Sequence, residues 1–213
     1  MMISSWTPKY VASRLLEIAY RRMNPITPWV AQNFIPVLDS YIRPTDIGFE
    51  YGSGNSTIWL AQRVKDLTSV EHDKRWHEIV SGRLRERSIS NVEYIICSDK
   101  EGTGRHDDDR GANTQYAGIL EGKPADSLDF VFVDGIYRSY CSMIAINKVR
   151  SGGCVIVDDC GSYLPAPSGA VNPRTYRNDP SSPLWAAFWN EVSDWRRIWM
   201  DNGVKAAVMF LKP

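Results

Sequence analysis

The chain has 213 residues, 43% of them apolar, with 25 lysines and arginines balancing 25 aspartates and glutamates. Length and apolar content suit one domain with a buried sheet and exclude a disordered chain. The zero net charge gives no general surface for nucleic acid or for an anionic membrane.

No apolar run reaches the length that spans a bilayer. Arg14 interrupts the only apolar stretch near the N-terminus, so no signal peptide is read there. The four cysteines, Cys97, Cys141, Cys154 and Cys160, form no CxxC pair, and three lie in or beside predicted strands. They read as buried, reduced thiols of a cytoplasmic protein.

In chain order, residues 8–23 read as a helix in which Val11, Leu15, Leu16, Ile18 and Ala19 recur on one face. Asn24-Pro25 stops it. Thr27-Pro28 has the form of an N-cap with proline at the first helical position, which predicts a second helix to about Ile42. Short apolar runs follow at Ile47–Glu50, Leu67–Glu71, Val92–Cys97, Phe130–Asp134 and Cys154–Asp158. Amphipathic segments at Thr57–Val64, Lys74–Arg87 and Tyr140–Val149 separate most of them. This alternation predicts an α/β fold: a doubly wound, mostly parallel sheet with helices on both faces. Near the end, strand-like Trp195–Met200 and Val204–Leu211 flank Asp201-Asn202-Gly203, so the sheet is predicted to close with an antiparallel hairpin. Two long polar segments, Lys100–Asn113 and Gly161–Pro183, interrupt the pattern and read as lids or binding loops.

The stretch FEYGSGNST, Phe49 to Thr57, joins the first strand to the next helix. In an open parallel sheet ligands bind beyond the carboxyl ends of the strands, where strand order reverses. Gly52 and Gly54 would allow a sharp turn and a close approach to a ligand, although an ordinary strand-to-helix turn has the same composition. A dinucleotide fingerprint would need a third glycine, and Asn55, Ser56 and Thr57 follow instead. Glu71 closes the second strand about twenty residues on, where a carboxylate can accept both hydroxyls of a ribose. Ser98 and Asp99 close the third strand, where they can meet an adenine edge or, for Asp99, cap a turn. Glu50 can meet an ammonium or brace the loop.

FEYGSGNST, SVEHD, CSD, DFVFVDG and GGCVIVDD, in this order and followed by a strand hairpin, resemble the class I S-adenosylmethionine-dependent methyltransferases. The resemblance covers about residues 45–213 and implies a Rossmann-like sheet in a single domain, with N-terminal helices over 1–43 and a cofactor-binding core over 44–213. It implies S-adenosylmethionine as cofactor. Glu50, Gly52, Ser53 and Gly54 would border its methionine end, and Ser56 and Thr57 would open the following helix. Glu71, with His72 beside it, would hold the ribose, and Ser98 and Asp99 the adenine. The family usually carries a glycine or alanine near Ser56.

Asp134 and the pair Asp158 and Asp159 end two runs that should be neighbouring strands, about 4.8 Å apart. Three carboxylates gathered without partners would raise one another's pKa. A divalent cation such as Mg²⁺, which prefers oxygen ligands, would relieve this. The same three positions resemble the metal ligands of metal-dependent small-molecule O-methyltransferases, and VDG with VIVDD is closest to the macrocin type. The catechol type has asparagine at the position of Asp159 and a lysine at that of Tyr137. Strand-end aspartates also cap loops in metal-free proteins, so both readings stand.

The reaction implied is methyl transfer to a small molecule, with a hydroxyl as acceptor. Asp134 would act as ligand or base, and Tyr137 as a second candidate for steering the acceptor. The N-terminal helices and the two polar segments would wall the acceptor pocket, with Tyr163, Arg174, Tyr176, Arg177 and Trp185 in or beside the second. Trp185, Phe188 and Trp189 equally form the packed face of a helix. HDDD at His106–Asp109 reads as a solvated loop. No appended recognition domain is read after the last strand, which favours a small acceptor over nucleic acid or membrane. The oligomeric state is open, a homodimer being one option. A non-catalytic cofactor-binding protein, a metal-independent N-methyltransferase and an NAD-dependent oxidoreductase are the competing readings.

Overall fold

A computed structural model describes residues 7–98, 111–112, 114–167 and 177–213. Seven strands form one sheet in the order β3-β2-β1-β4-β5-β7-β6. The strands are β1 (Ile47–Tyr51), β2 (Asp66–Glu71), β3 (Val92–Ile96), β4 (Leu128–Val133), β5 (Val149–Asp158), β6 (Arg196–Asp201) and β7 (Ala206–Leu211). The first five pair in parallel. β7 inserts antiparallel between β5 and β6, so the predicted hairpin closes the sheet.

The helices are α1 (Pro8–Met23), α2 (Ile35–Tyr41), α3 (Asn55–Ala61), α4 (Lys74–Glu86), α5 (Gln115–Glu121), α6 (Arg138–Lys148) and α7 (Pro183–Glu191). None is long and apolar enough to cross a membrane.

Period-two alternation along the central strands supplies two cores. Tyr51, Val131, Val133, Val155, Val157 and Phe210 meet α5, α6 and α7 on one face. Phe130, Phe132, Cys154, Ile156 and Met209 meet α2 and α3 on the other. Burying both faces in this way is the largest favourable contribution to folding, about 1.5–3 kcal/mol for each large apolar side chain. All four cysteines are buried and outside any disulfide, as expected. Helix α7 packs Trp185 and Phe188 into the first core, which fits the helix-face reading of that segment.

Three local expectations are corrected. The second helix does not open at Thr27-Pro28. The Thr27 hydroxyl donates to the Asn24 carbonyl in a turn, a 3-10 turn spans Gln32–Phe34, and the helix starts at Ile35 with Pro36 in its first turn. The apolar stripe of α1 does not face the body: Leu15 and Leu16 are 62% and 64% exposed, whereas Glu17 is 1% exposed. Arg14 and Arg21 both pair with Glu17, so the helix seats on a neutralised carboxylate rather than on its leucines. Helix α5 falls between the predicted elements. Its signal was Thr114, whose hydroxyl accepts the Ala117 N–H as an N-cap, ahead of Tyr116, Ala117 and Leu120.

Candidate active site

β1 and β4 are neighbours in the sheet although β2 and β3 lie between them in the chain. The loops leaving their carboxyl ends diverge there, and this is the switch point where a crevice forms. Two glycines meet across it. Gly52 has φ +83°, its N–H donates to the Val70 carbonyl at 2.9 Å, and a Cβ on it would lie 2.7 Å from the Gly135 backbone. A Cβ on Gly135 would lie 1.9 Å from the Tyr116 hydroxyl oxygen. Packing alone therefore requires both.

Gly54 is different. Its φ of 173° is extended backbone, and a Cβ there would meet nothing nearer than Ser56 Oγ at 3.9 Å. The fold leaves this position bare without needing it bare.

A cleft of about 290 Å³ opens at this point, lined by Gly52, Ser53, Glu71, His72, Asp73, Trp76, Asp134 and Gly135. Five predicted site residues, Gly52, Ser53, Glu71, His72 and Asp134, thus share one cavity. Ser53 N–H and Oγ both donate to Glu71 Oε2 at 3.0 Å, and the His72 and Asp73 N–H groups donate to Oε1 at 2.8 Å. Burial would raise the Glu71 pKa, but His72 and these N–H groups hold it below the usual carboxylate range. Ser53 Oγ has a second partner, Tyr94 Oη, at 2.5 Å. Asp73 caps α4 by accepting the Trp76 N–H, and Trp76 Nε1 donates to the Ser53 carbonyl at 2.7 Å. Sequence reasoning missed Trp76 and Tyr94. The signal for Trp76 was its place three residues after a capping aspartate at a strand's carboxyl end.

Glu50, Ser56 and Thr57 lie behind the cleft, buried. The Gly54 N–H donates to Thr57 Oγ1 at 2.9 Å, and that hydroxyl donates to Glu50 Oε2 at 2.5 Å. Ser69 Oγ donates to the same oxygen at 2.6 Å. Glu50 therefore braces the loop through a hydroxyl relay rather than by accepting N–H groups directly. Burial pushes its carboxyl up to about 7, against the pull of the Ser56, Ser69 and Thr57 hydroxyls. Ser98 is exposed just past β3, outside the cleft lining. Asp99 lies outside the described residues, as do His106–Asp109, Arg174 and Tyr176.

At the ends of β4 and β5, Asp134, Asp158 and Asp159 each place a carboxylate oxygen within 4.8 Å of the others. They are not left to repel one another. Arg138, 3% exposed, donates from Nη2 to Asp134 Oδ1 at 2.8 Å. Its Nε, Nη1 and Nη2 also donate to the carbonyls of Gly135, Asp158 and Asp134. Burial works against the Arg138 charge, but Asp134, Tyr163 and the other acids hold its pKa above the ordinary value. Lys205, from the β6–β7 turn, places Nζ 3.4 Å from Asp158 Oδ2 and 3.6 Å from Asp159 Oδ1. Asp158 is fully buried, and burial together with Asp134 and Asp159 pushes its carboxyl well up. The three-acid set forms as expected, but two side-chain cations already stand against its three acids, which leaves less charge to call for a Mg²⁺ ion.

Tyr137 is 4% exposed, with its ring 6.3 Å from that of Tyr116 in the core, and it does not line the cleft. It and Asp159 both have φ +51°, a costly conformation for residues other than glycine at the two strand exits. Tyr163 stacks on the buried Trp185 at 5.3 Å, so these two aromatics belong to the core rather than to a pocket wall. Arg177 is exposed and donates to the Asp179 carbonyl. The N-terminal region does reach the edge. Trp29 lies 6.3 Å from Trp76, Arg21 sits over Trp29 at 5.3 Å, and Asn55 donates to the Pro25 carbonyl at 2.8 Å.

No protein-family model and no curated protein matches the chain. Solved structures share its fold. A methyltransferase from Geobacter sulfurreducens aligns with a TM-score of 0.56 at 13% identity, over 97% of this chain and 90% of that one. Precorrin 8w decarboxylase from Methanobacterium thermoautotrophicum aligns at 0.55 and 15% identity, over 88% and 92%. A Streptococcus mutans protein assigned as a methyltransferase and solved in complex with SAH aligns at 0.52 and 13% identity, over 84% and 94%.

Proposed function

We propose that this chain is an S-adenosylmethionine-dependent methyltransferase that acts on a hydroxyl of a small molecule and needs no divalent ion. One observation carries the reading. Gly52 and Ser53 of the bare turn, the carboxylate ending β2 and Asp134 after β4 line a single cleft at the switch point. The same fold occurs in a protein solved with SAH, which supports an adenosyl ligand.

The cofactor would supply a methyl group already activated on a sulfonium. The chain's residues would do the rest. Glu71 Oε2 can turn from Ser53 Oγ to a ribose hydroxyl, because Ser53 Oγ keeps Tyr94 Oη as its partner. Gly54 leaves space beside Trp76 for a ligand to lie against the turn. Trp76 lines the cleft and Trp29 lies 6.3 Å from it, where the pair would help to screen a bound ligand from water. Asp134, paired with Arg138 at 2.8 Å, is the base that takes the acceptor's proton. A small acceptor is favoured because the chain carries no net positive charge to attract a polyanion.

Calorimetric titration with SAH and with NAD tests the cofactor: binding of SAH, no binding of NAD and a marked loss of SAH affinity in Glu71→Gln are expected. Labelled methyl transfer to a panel of hydroxylated metabolites then tests the reaction, with activity indifferent to EDTA. Transfer only to amines would overturn the hydroxyl assignment, and activity abolished by EDTA and restored by Mg²⁺ would overturn the metal-free one.

A further inference from the structure

We propose that Lys205 is the resident cation of the acidic edge, holding against Asp158 and Asp159 the place a divalent ion would otherwise take, so that the chain carries a latent divalent-cation site opened by removing this ammonium. The two cations at the edge are held differently. Arg138 is fixed by three main-chain carbonyls as well as by Asp134, so it is part of the frame. Lys205 Nζ touches the cluster through two carboxylates alone, at 3.4 and 3.6 Å. Both distances exceed the 2.7–2.9 Å or so of a close charge-assisted bond. One ammonium set between two carboxylates at such distances acts as a point charge, which is how a bound ion would act.

A second observation points the same way. Asp158 Oδ1 is fully buried and has no hydrogen-bond partner among the described residues. A buried carboxylate oxygen left without a donor is costly, and it is the atom a cation with several oxygen ligands would claim. The ammonium is also delivered by a built turn. Asn202 Oδ1 accepts the N–H groups of Val204 and Lys205 at 2.9 and 2.8 Å, and the Asn202 N–H donates to the Lys205 carbonyl at 3.1 Å. Gly203, at φ +84°, makes that turn possible, and its N–H donates to Asp201 Oδ1 at 2.6 Å. The hairpin thus inserts a cation at the point where two strand ends gather their acids.

The consequence for substrate, which rests on the proposed reaction, is that an acceptor at Asp134 has beside it acids paired with an ammonium rather than with a hydrated dication. A ligand that chelates through two adjacent oxygens gains nothing there, and an acceptor offering a single oxygen suffices.

The test is a Mn²⁺ titration of the full chain, followed by the electron paramagnetic resonance of the free ion, in wild type and in Lys205→Ala. Wild type is expected to show no saturable site at millimolar Mn²⁺. Folded Lys205→Ala should take up one ion at least about tenfold more tightly, a change of roughly 1.4 kcal/mol, and adding Asp158→Asn should remove that site. Tight binding by wild type, or a folded Lys205→Ala that gains no ion, overturns the proposal. If Lys205→Ala does not fold, Lys205→Gln is read by the same criteria. SAH titration of the same samples reports separately on the proposed function, since the Mn²⁺ result requires no cofactor binding.

Discussion

On the β1–β2 side of the carboxyl edge, the carboxylate of Glu71 is satisfied by three main-chain N–H groups and a serine hydroxyl. On the β4–β5 side, Asp134, Asp158 and Asp159 are balanced by the side chains of Arg138 and Lys205. The difference bears on what each side can do. Main-chain donors are fixed by the fold, so the first side is a preformed mould for a neutral polar ligand. Arg138 is fixed by main-chain carbonyls, but Lys205 is held through carboxylates and can be shifted by what binds or removed by substitution, so the second side is suited to chemistry in which charge moves.

If the first side is a backbone mould, Gly52→Ala should be the most damaging change. The new Cβ meets the Gly135 backbone, and the positive φ adds strain, for a loss of about 2–5 kcal/mol in urea unfolding. An unfolding midpoint near wild type would break that half of the comparison.

Glu50 sharpens it next. Its folded pKa of about 7 is raised above the ordinary 4.5. Between these values the unfolded chain has released the proton while the folded chain keeps it, so stability falls as pH rises through this window and levels off above about 7. Glu50→Gln should remove that loss, and the difference from wild type should grow to the order of 3 kcal/mol above pH 7. Melting curves of both proteins from pH 4 to 8, roughly the window in question, give the comparison directly.

On the other side, Asp134→Asn takes the carboxylate from Arg138 but leaves its three carbonyl acceptors, so about 1–3 kcal/mol should be lost and methyl transfer should fall with it. Activity preserved in Asp134→Asn would remove Asp134 as base. The smallest effect on folding is expected at Gly54. A Cβ there meets nothing nearer than 3.9 Å, so Gly54→Ala should change stability by about 1 kcal/mol or less.

These contrasts also explain what the sequence could disclose. The strands, the closing hairpin and the convergence of Gly52, Glu71 and Asp134 were legible because backbone demands leave local marks: alternation, glycine at a turn, an acid at a strand's end. The pairing of Asp158 and Asp159 was not, because Lys205 lies 47 residues beyond Asp158 and only the sheet order brings it back. The seating of α1 was misread for a related reason. Its leucine periodicity is real, but the buried contact is Glu17 with Arg14 and Arg21, and periodicity carries no sign of which face a paired charge will turn inward. Tyr137 was singled out by its position three residues past Asp134, which says nothing of burial, and its ring went to the core; Trp185 followed the helix-face alternative, since aromatic side chains bury the most apolar surface.

The central claim is that the bare turn beside Glu71 binds an adenosyl ligand, and titration of SAH into wild type and Gly54→Leu tests it most directly. The account predicts one SAH bound per wild-type chain, and binding at least about tenfold weaker in a Gly54→Leu variant that unfolds like wild type. A folded wild type that takes up no SAH, or a Gly54→Leu variant that binds it equally well, would contradict the claim.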